Sequence, residues 1–337
     1  MSAFFDIYGA FMRRLRFREF GSPGEVLQLE EVSKPEITGS EVLIKVVASG
    51  INPSDAKNVI GHMEDTTLPR TPGRDFAGVI EEGPEELIGK TVWGSGGDLG
   101  FVRDGAHSQF VVVPSDGFAI KPASLSDDEA ATSALSFITA CLCYEAGSAV
   151  GDTSTVVVIG ASGGVGNAAM SISRHFGKRT IGMVRTGSSA EQVKAAGFEV
   201  VSSDDADLSE SLKQLGIDGV DLVIDTVGGA MVDVAFKMLA QKGRIVEIAA
   251  PPGDRDIKLD ALDFYHRQAS LIGVDSRKSS TSECARILTK LEPLFQKNID
   301  RVQPVSRISL DEAIGAYSKI AKGHTKERFS IHPNEAE

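Results

Sequence analysis

Thr155-Val156-Val157-Val158-Ile159-Gly160-Ala161-Ser162-Gly163-Gly164-Val165-Gly166 is the stretch that decides the fold. Five β-favouring residues, Thr155 to Ile159, read as a buried strand, and the small residues after them let the backbone turn close to a ligand. Beyond Val165 the positions Ala168, Ala169, Ile172 and Phe176 keep helical spacing, and Gly177 stands where a helix would end. A second strand is expected from Thr180 to Val184. The order strand, A-x-G-x-x-G, helix, strand is the context in which a glycine motif means dinucleotide binding. Helix N–H groups and the positive dipole end behind the turn suit a pyrophosphate, so Ala161, Ser162, Gly163, Gly164 and Val165 are expected to bind the cofactor. A plain tight βα turn is the competing reading.

The end of the second strand bears on which dinucleotide. Enzymes that use NAD place Asp or Glu there to hold both ribose hydroxyls. Here Arg185 follows Gly166 by nineteen residues and is itself followed by Thr186, Gly187, Ser188 and Ser189. A carboxylate would repel a 2′-phosphate, whereas a guanidinium with neighbouring hydroxyls binds it. The expected cofactor is therefore NADPH. An ordinary solvated arginine is the bland alternative.

A length of 337 residues suits two domains, and a net charge of −12 argues against a nucleic-acid surface. Cys141, Cys143 and Cys284 are too few and too badly spaced for a disulfide framework or a zinc knuckle, which fits a reducing cytoplasm. The apolar part of Met1 to Phe17 is short and broken by Asp6, so it is read neither as a signal peptide nor as a membrane span. Residues 1–11 are expected to be an optional extension.

Up to Pro122 the chain shows short strands cut by Gly and Pro, among them Glu41 to Val47, Ala77 to Ile80 and Gln109 to Val113. Ser126 and Glu129 then form a capping-box signature ahead of a helix. Strands and helices alternate to about Ser276, with later strands at Val220–Asp225, Gly243–Ala249 and Ser270–Val274. Such alternation predicts a doubly wound parallel sheet. A helix after Thr281, a strand near Val302 to Ile308, a helix from about Leu310 and a tail strand Phe329-Ser330-Ile331 returning to the first domain complete the expectation. The fold class is α/β, with a β-rich domain over 1–127 and 277–337 and a Rossmann domain over 128–276.

Beyond the glycine turn, Ile51-Asn52-Pro53-Ser54-Asp55, Pro72-Gly73-Arg74-Asp75-Phe76-Ala77-Gly78, Asp104-Gly105-Ala106, Thr139-Ala140 and Asp225-Thr226-Val227-Gly228-Gly229 give the chain its likeness. It resembles the medium-chain dehydrogenase/reductases, in particular their zinc-independent quinone oxidoreductase (zeta-crystallin-like) and enone reductase branch. The resemblance implies a GroES-like, barrel-like substrate domain beside the Rossmann sheet, with a cleft between them. It also implies a homodimer paired through the last Rossmann strand, Ser270 to Val274. Thr139 matches a threonine near the nicotinamide, against the alternative of a helix threonine bonded to the preceding turn. Ala249 and Ala250 belong to a loop expected near the carboxamide, and Asp225 is expected to fix its own loop.

Zinc-dependent relatives carry ligands at three places that fall here within Asn52-Pro53-Ser54-Asp55, at Gly73-Arg74-Asp75 and at Leu135. Zinc needs three or four thiolate, imidazole or carboxylate ligands at one point, and no metal is expected. Without a Lewis acid, hydride addition to a quinone or an α,β-unsaturated carbonyl is easier than alcohol oxidation, since only the developing oxyanion needs donors. Asn52 and Lys57 lie on the segment that lines the cleft in the family and are the expected catalytic donors, Asn52 also touching the cofactor. An ordinary exposed lysine is an equal alternative for Lys57. The family's tyrosine proton donor has no counterpart in Gly61-His62-Met63, and His62 is read as a solvated loop residue or a substitute. Two other functions stay open: a metal-free alcohol or aldehyde oxidoreductase, and a non-catalytic protein that binds NADPH.

Overall fold

The computed structural model describes residues 11–147, 155–185, 187–205, 207–251, 253–296, 304–323, 325 and 327–335. They divide into two compact units. One holds the described residues up to Leu135, those from Arg277 to Gln296 and those from Pro304 onward; the other is Ser136–Ser276.

The first unit opens with β1 (Phe11–Arg16), a single helical turn α1 (Pro23–Val26) and β2 (Gln28–Ser33), which pairs antiparallel with β1. Phe11 is thus already part of a strand, while the rest of the expected extension lies outside the described residues. The long β3 (Glu41–Ile51) is followed by α2 (Pro53–Val59), β4 (Phe76–Glu82), β5 (Thr91–Gly94), β6 (Phe110–Pro114) and β7 (Ala119–Ile120). β3 pairs with both β4 and β6. Alternate residues Val42, Ile44 and Val46, with Val111 and Val113 of β6, bury one sheet face against Phe76, Ile80, Val92 and Leu99. That period of two is what β-branched residues support, at about 1.5–3 kcal/mol for each fully buried side chain.

The helix α3 (Asp127–Gly147) starts as its capping signature predicts: Glu129 N–H donates to Ser126 Oγ, and Ser126 N–H donates back to the Glu129 carboxylate at 2.7 Å.

In the second unit come β8 (Thr155–Ile159), α4 (Gly164–His175), β9 (Arg179–Val184), α5 (Ser188–Ala195), β10 (Glu199–Ser202), α6 (Leu208–Gln214), β11 (Val220–Asp225), α7 (Met231–Met238), β12 (Leu239–Glu247), α8 (Ala261–His266) and β13 (Ser270–Gly273). All six strands are parallel in the order β10-β9-β8-β11-β12-β13. The order reverses between β8 and β11, so the crevice that open α/β sheets use for ligands lies at the end of β8, where the glycine turn is. Several strands depart from their expected limits, among them β3, which runs on to Ile51, and β12. β12 begins at Leu239, not Gly243, because Leu239 pairs with Val220 before a bulge and the ladder resumes at Arg244. Lys242, at φ 62°, sits within that bulge and breaks the alternation a sequence pattern relies on.

The chain then returns to the first unit through α9 (Thr281–Lys290), α10 (Glu292–Phe295), β14 (Val305–Ser309), α11 (Ala313–Ala321) and β15 (Arg328–His332). β15 pairs antiparallel with β3, Phe329 opposite Ile51, and parallel with β14. The tail strand is therefore the closure anticipated from Phe329-Ser330-Ile331. Its apolar residues join Leu15, Phe17, Val59 and Tyr317 in a separate core. Cys141, Cys143 and Cys284 are buried and form no disulfide among the described residues. Among the described residues no helix is long and apolar enough to cross a membrane.

Candidate functional site

The glycine turn has the geometry of a phosphate cradle. Val156, Val157 and Val158 are fully buried, which anchors β8 in the sheet. Gly160 turns the chain at φ 76°, and α4 begins four residues later. No side chain caps that helix, whose opening bond runs from Asn167 N–H to Gly163 O. Its first-turn N–H groups are left to water or an anion. A Cβ on Gly166 would collide with the Gly160 carbonyl, so α4 can pack this close to the turn only with glycine there. Ala161 is buried, and Ser162, Gly163, Gly164 and Val165 are half-buried around the turn.

Arg185 follows β9 directly and is exposed. Its guanidinium forms no ion pair or hydrogen bond among the described residues. Gly187 precedes α5, and the exposed Ser188 is its first residue. Thr186 lies outside the described residues. At the end of β12, Ala249 is half-buried and Ala250 exposed; Ala249 N–H donates to Glu247 Oε1 at 2.9 Å. Asp225 fixes its loop as expected, its Oδ1 accepting from Val227 N–H at 2.8 Å and Gly228 N–H at 3.0 Å. Within α3, Thr132 and Ser133 donate back to the carbonyls of Asp128 and Glu129. Thr139, equally buried, makes no such bond, which leaves its hydroxyl for another partner.

In the first unit the polar residues converge on Asp75. Asn52 is the N-cap of α2, with Pro53 locking the first helical position, and its N–H donates to Asp55 Oδ2 at 2.8 Å. The Asn52 side chain donates from Nδ2 to Asp75 Oδ2 at 3.0 Å, and Leu135 N–H donates to Asp75 Oδ1 at 3.1 Å. Asn52, Asp55, Arg74 and Asp75 are all buried. Burial pushes the Asp75 carboxyl above its ordinary range against the pull of its donors. It pushes Asp55 up to about 7, with the Asp75 charge adding to the rise. The three zinc-ligand places thus hold the segment Asn52-Pro53-Ser54-Asp55, which offers no thiol and whose carboxylate caps α2, a buried guanidinium beside a carboxylate already bonded on both oxygens, and a leucine. That set does not fit zinc. Among the described residues no cluster of three His, Cys, Asp or Glu could hold a metal.

Asp75 is a hub that no sequence motif signals, since its type alone marks only a lost ligand position. Asn52 proves more buried than a freely available donor would be, with one amide N–H committed to Asp75. Lys57 lies on the same helix and is exposed, and His62, also exposed, donates its N–H to Lys57 O at 2.8 Å. α2 therefore carries Asn52, buried, at its N-cap and Lys57, exposed, in its last turn, with His62 just beyond its end. No side chain among the described residues pairs with the Lys57 ammonium.

Comparison with known proteins follows these features. A family model described as an alcohol dehydrogenase GroES-like domain matches residues 38–123, and one described as a zinc-binding dehydrogenase matches residues 164–291. A zinc-type alcohol dehydrogenase-like protein of Schizosaccharomyces pombe is 32% identical over 320 residues, covering 93% of this chain and 95% of that protein. The chain belongs to the medium-chain dehydrogenase/reductase superfamily. Within the superfamily it is also similar to the quinone oxidoreductase of Mus musculus, 30% identical over 94% of this chain and 96% of that protein. The 2-methylene-furan-3-one reductase of Solanum lycopersicum is 27% identical over 96% of this chain and 79% of that protein. The chain is an oxidoreductase of this superfamily, built from the GroES-like and Rossmann-type domains its sequence implied.

Proposed function

We propose that the chain is an NADPH-dependent, metal-free reductase of quinones or α,β-unsaturated carbonyls. The observation that carries this reading is the Asp75 clamp: the places where zinc-dependent relatives hold a metal are occupied by a hydrogen-bonded Asn52–Asp75–Leu135 arrangement with no ligand set. Nothing there would acidify an alcohol, whereas an activated double bond or a quinone needs only a hydride and a donor for the oxygen on which charge collects. The relatives named as a quinone oxidoreductase and a 2-methylene-furan-3-one reductase support the same substrate classes.

The turn from Ala161 to Val165 and the open end of α4 would hold the pyrophosphate, and Arg185, with Ser188 and Thr186, the 2′-phosphate. Thr139, Ala249 and Ala250 would contact the nicotinamide half, and Asn52 the cofactor as well. When bound, the cofactor supplies the hydride. Lys57 would donate to the developing oxyanion, assisted by the second Asn52 N–H, while Asp75 and the α2 cap hold Asn52 in one orientation. The completing proton is assigned to water. A reducing compartment such as the cytoplasm suits three buried cysteines that form no disulfide among the described residues.

A homodimer belongs to the same proposal. β13 is the last strand of its sheet, and an open edge of this kind is covered or paired in a native protein. Leu262 and Tyr265 of the preceding α8 are exposed large side chains. A second copy pairing along Ser270–Gly273 would close that edge.

The reading is tested by the loss of NADPH absorbance against a panel of quinones, enones, enals and simple aldehydes. Turnover confined to the first three classes supports it; turnover of none of them, with NADPH bound, favours a non-catalytic role.

A further inference from the structure

Asp225 and Glu247 are register partners at the C-terminal ends of the adjacent strands β11 and β12. Each carboxylate spends one oxygen on its own loop, Asp225 on the N–H groups of Val227 and Gly228 and Glu247 on that of Ala249. The two remaining oxygens, Asp225 Oδ2 and Glu247 Oε2, are buried and have no hydrogen-bond donor. Two ionised carboxylates side by side would leave both oxygens desolvated and mutually repelled. A single proton between them satisfies both.

No lysine or arginine pairs with either carboxylate among the described residues. The ionisable neighbours are Cys143 of α3, whose thiol burial pushes up to about 12, and Asp254, whose Oδ2 accepts from Ala230 N–H. Neither supplies positive charge.

We propose that Asp225 and Glu247 hold one proton between their facing oxygens, and that this carboxyl pair fastens loop 226–229 to loop 248–251 as part of the cofactor site. The second half of the proposal rests on the dinucleotide reading above. Its structural link is short: Thr226, next to Asp225, donates its hydroxyl to Ile159 O at 2.8 Å, immediately before the glycine turn. Asp225 and Glu247 are positioning residues, acting through the loops they hold.

Burial, reinforced by the Asp225 charge, moves Glu247 up to about 8. The pair therefore keeps its proton at neutral pH and loses it in mild alkali. Two like charges then face each other across neighbouring strands, and the loops separate. Binding that requires the proton weakens by up to about tenfold per pH unit above that point. The phosphate of the cofactor titrates near about 6, below this window.

The test is the dissociation constant of NADPH for the full chain, from fluorescence titrations between pH about 7 and about 10, set against Glu247→Gln. The glutamine keeps an oxygen for Ala249 N–H and turns an amide N–H₂ toward Asp225, so it imitates the protonated pair at every pH. The proposal expects the parent to lose affinity above pH about 8 and Glu247→Gln to keep it. The same alkaline loss in both proteins overturns the loop-fastening role. A second readout stands apart from binding: the infrared carbonyl band of a protonated carboxylic acid, read as the difference between the parent and Glu247→Gln at the same pH, so that the carboxyl of Asp55, which burial also raises to about 7, cancels. If the chain binds no NADPH, the functional reading falls by itself, and this band alone decides the shared proton. A band in the parent that Glu247→Gln lacks upholds the pair, and identical carbonyl absorption in the two proteins overturns it.

Discussion

Asn52 and Asp75 are locked together, the side-chain amide of the first donating at 3.0 Å to a buried carboxylate oxygen of the second. The same carboxylate takes Leu135 N–H on its other oxygen, so three separate segments meet at one acidic residue. In zinc-dependent relatives these segments meet at a metal. Here a hydrogen-bonded carboxylate holds them.

Asn52 and Lys57 should respond differently to removal. Asn52→Ala strands a buried carboxylate oxygen and is expected to cost about 1–3 kcal/mol of stability in urea unfolding. Lys57→Met touches an exposed side chain and should leave stability within about 0.5 kcal/mol. Under saturating NADPH the same Lys57 variant should lose about 10²–10³ in kcat if the ammonium meets the oxyanion. Full kcat in Lys57→Met would assign that oxygen to other donors.

Arg185→Ala should weaken NADPH and spare NADH. One charge-assisted contact to the 2′-phosphate is worth about 1.5–3 kcal/mol, or roughly ten- to a hundredfold in dissociation constant. Titration of both cofactors with both proteins gives the answer. Equal affinity of the parent for the two would remove the basis for NADPH preference.

His107 makes the fold sensitive to acid. It is fully buried, with Tyr317 Oη 2.7 Å from Nδ1 and Gly50 O 3.2 Å from Nε2. Gly50 O can only accept, so Nε2 carries the proton and Nδ1 accepts from the tyrosine. Burial lowers the imidazole to about 4. The unfolded chain therefore binds the extra proton first, and the His107 contribution to stability falls as pH drops from about 6.5 to about 4, by at most roughly 3 kcal/mol. Asp55, pushed up to about 7, acts in the opposite sense, its contribution falling as pH rises toward 7. Relative to the parent, His107→Gln should gain stability as pH falls from about 6.5 to about 4. A stability difference between the two proteins that does not change with pH would place the sensitivity elsewhere.

The β13 edge predicts a dimer. Light scattering at micromolar protein should give twice the chain mass of 35.8 kDa, and a charged residue at Ile272 should shift it toward one chain. A monomeric parent would rule out pairing through this strand.

The Rossmann sheet was legible because its signal is local: Thr155 to Gly166 carries strand, turn and helix start in consecutive residues, and the capping box at Ser126 and Glu129 spans four. The Asp75 hub was not, because its partners lie 23 and 60 residues away and only folding brings them together. Arg74 and Asp75 could be recognised as poor zinc ligands from their chemistry, but not as a buried polar centre. Glu247 escaped for a related reason. Its partner is set by the register of β11 against β12, and the bulge at Lys242 moves the start of that strand away from where alternation places it.

The most direct test of the account is hydride transfer without metal. Protein stripped with a chelator is given NADPH deuterated at the transferable C4 position and the enone or enal it reduces fastest. The account predicts unchanged turnover after chelation and one deuterium on the β-carbon of the product. Turnover that disappears with the chelator and returns with zinc, or a product free of deuterium, would contradict it.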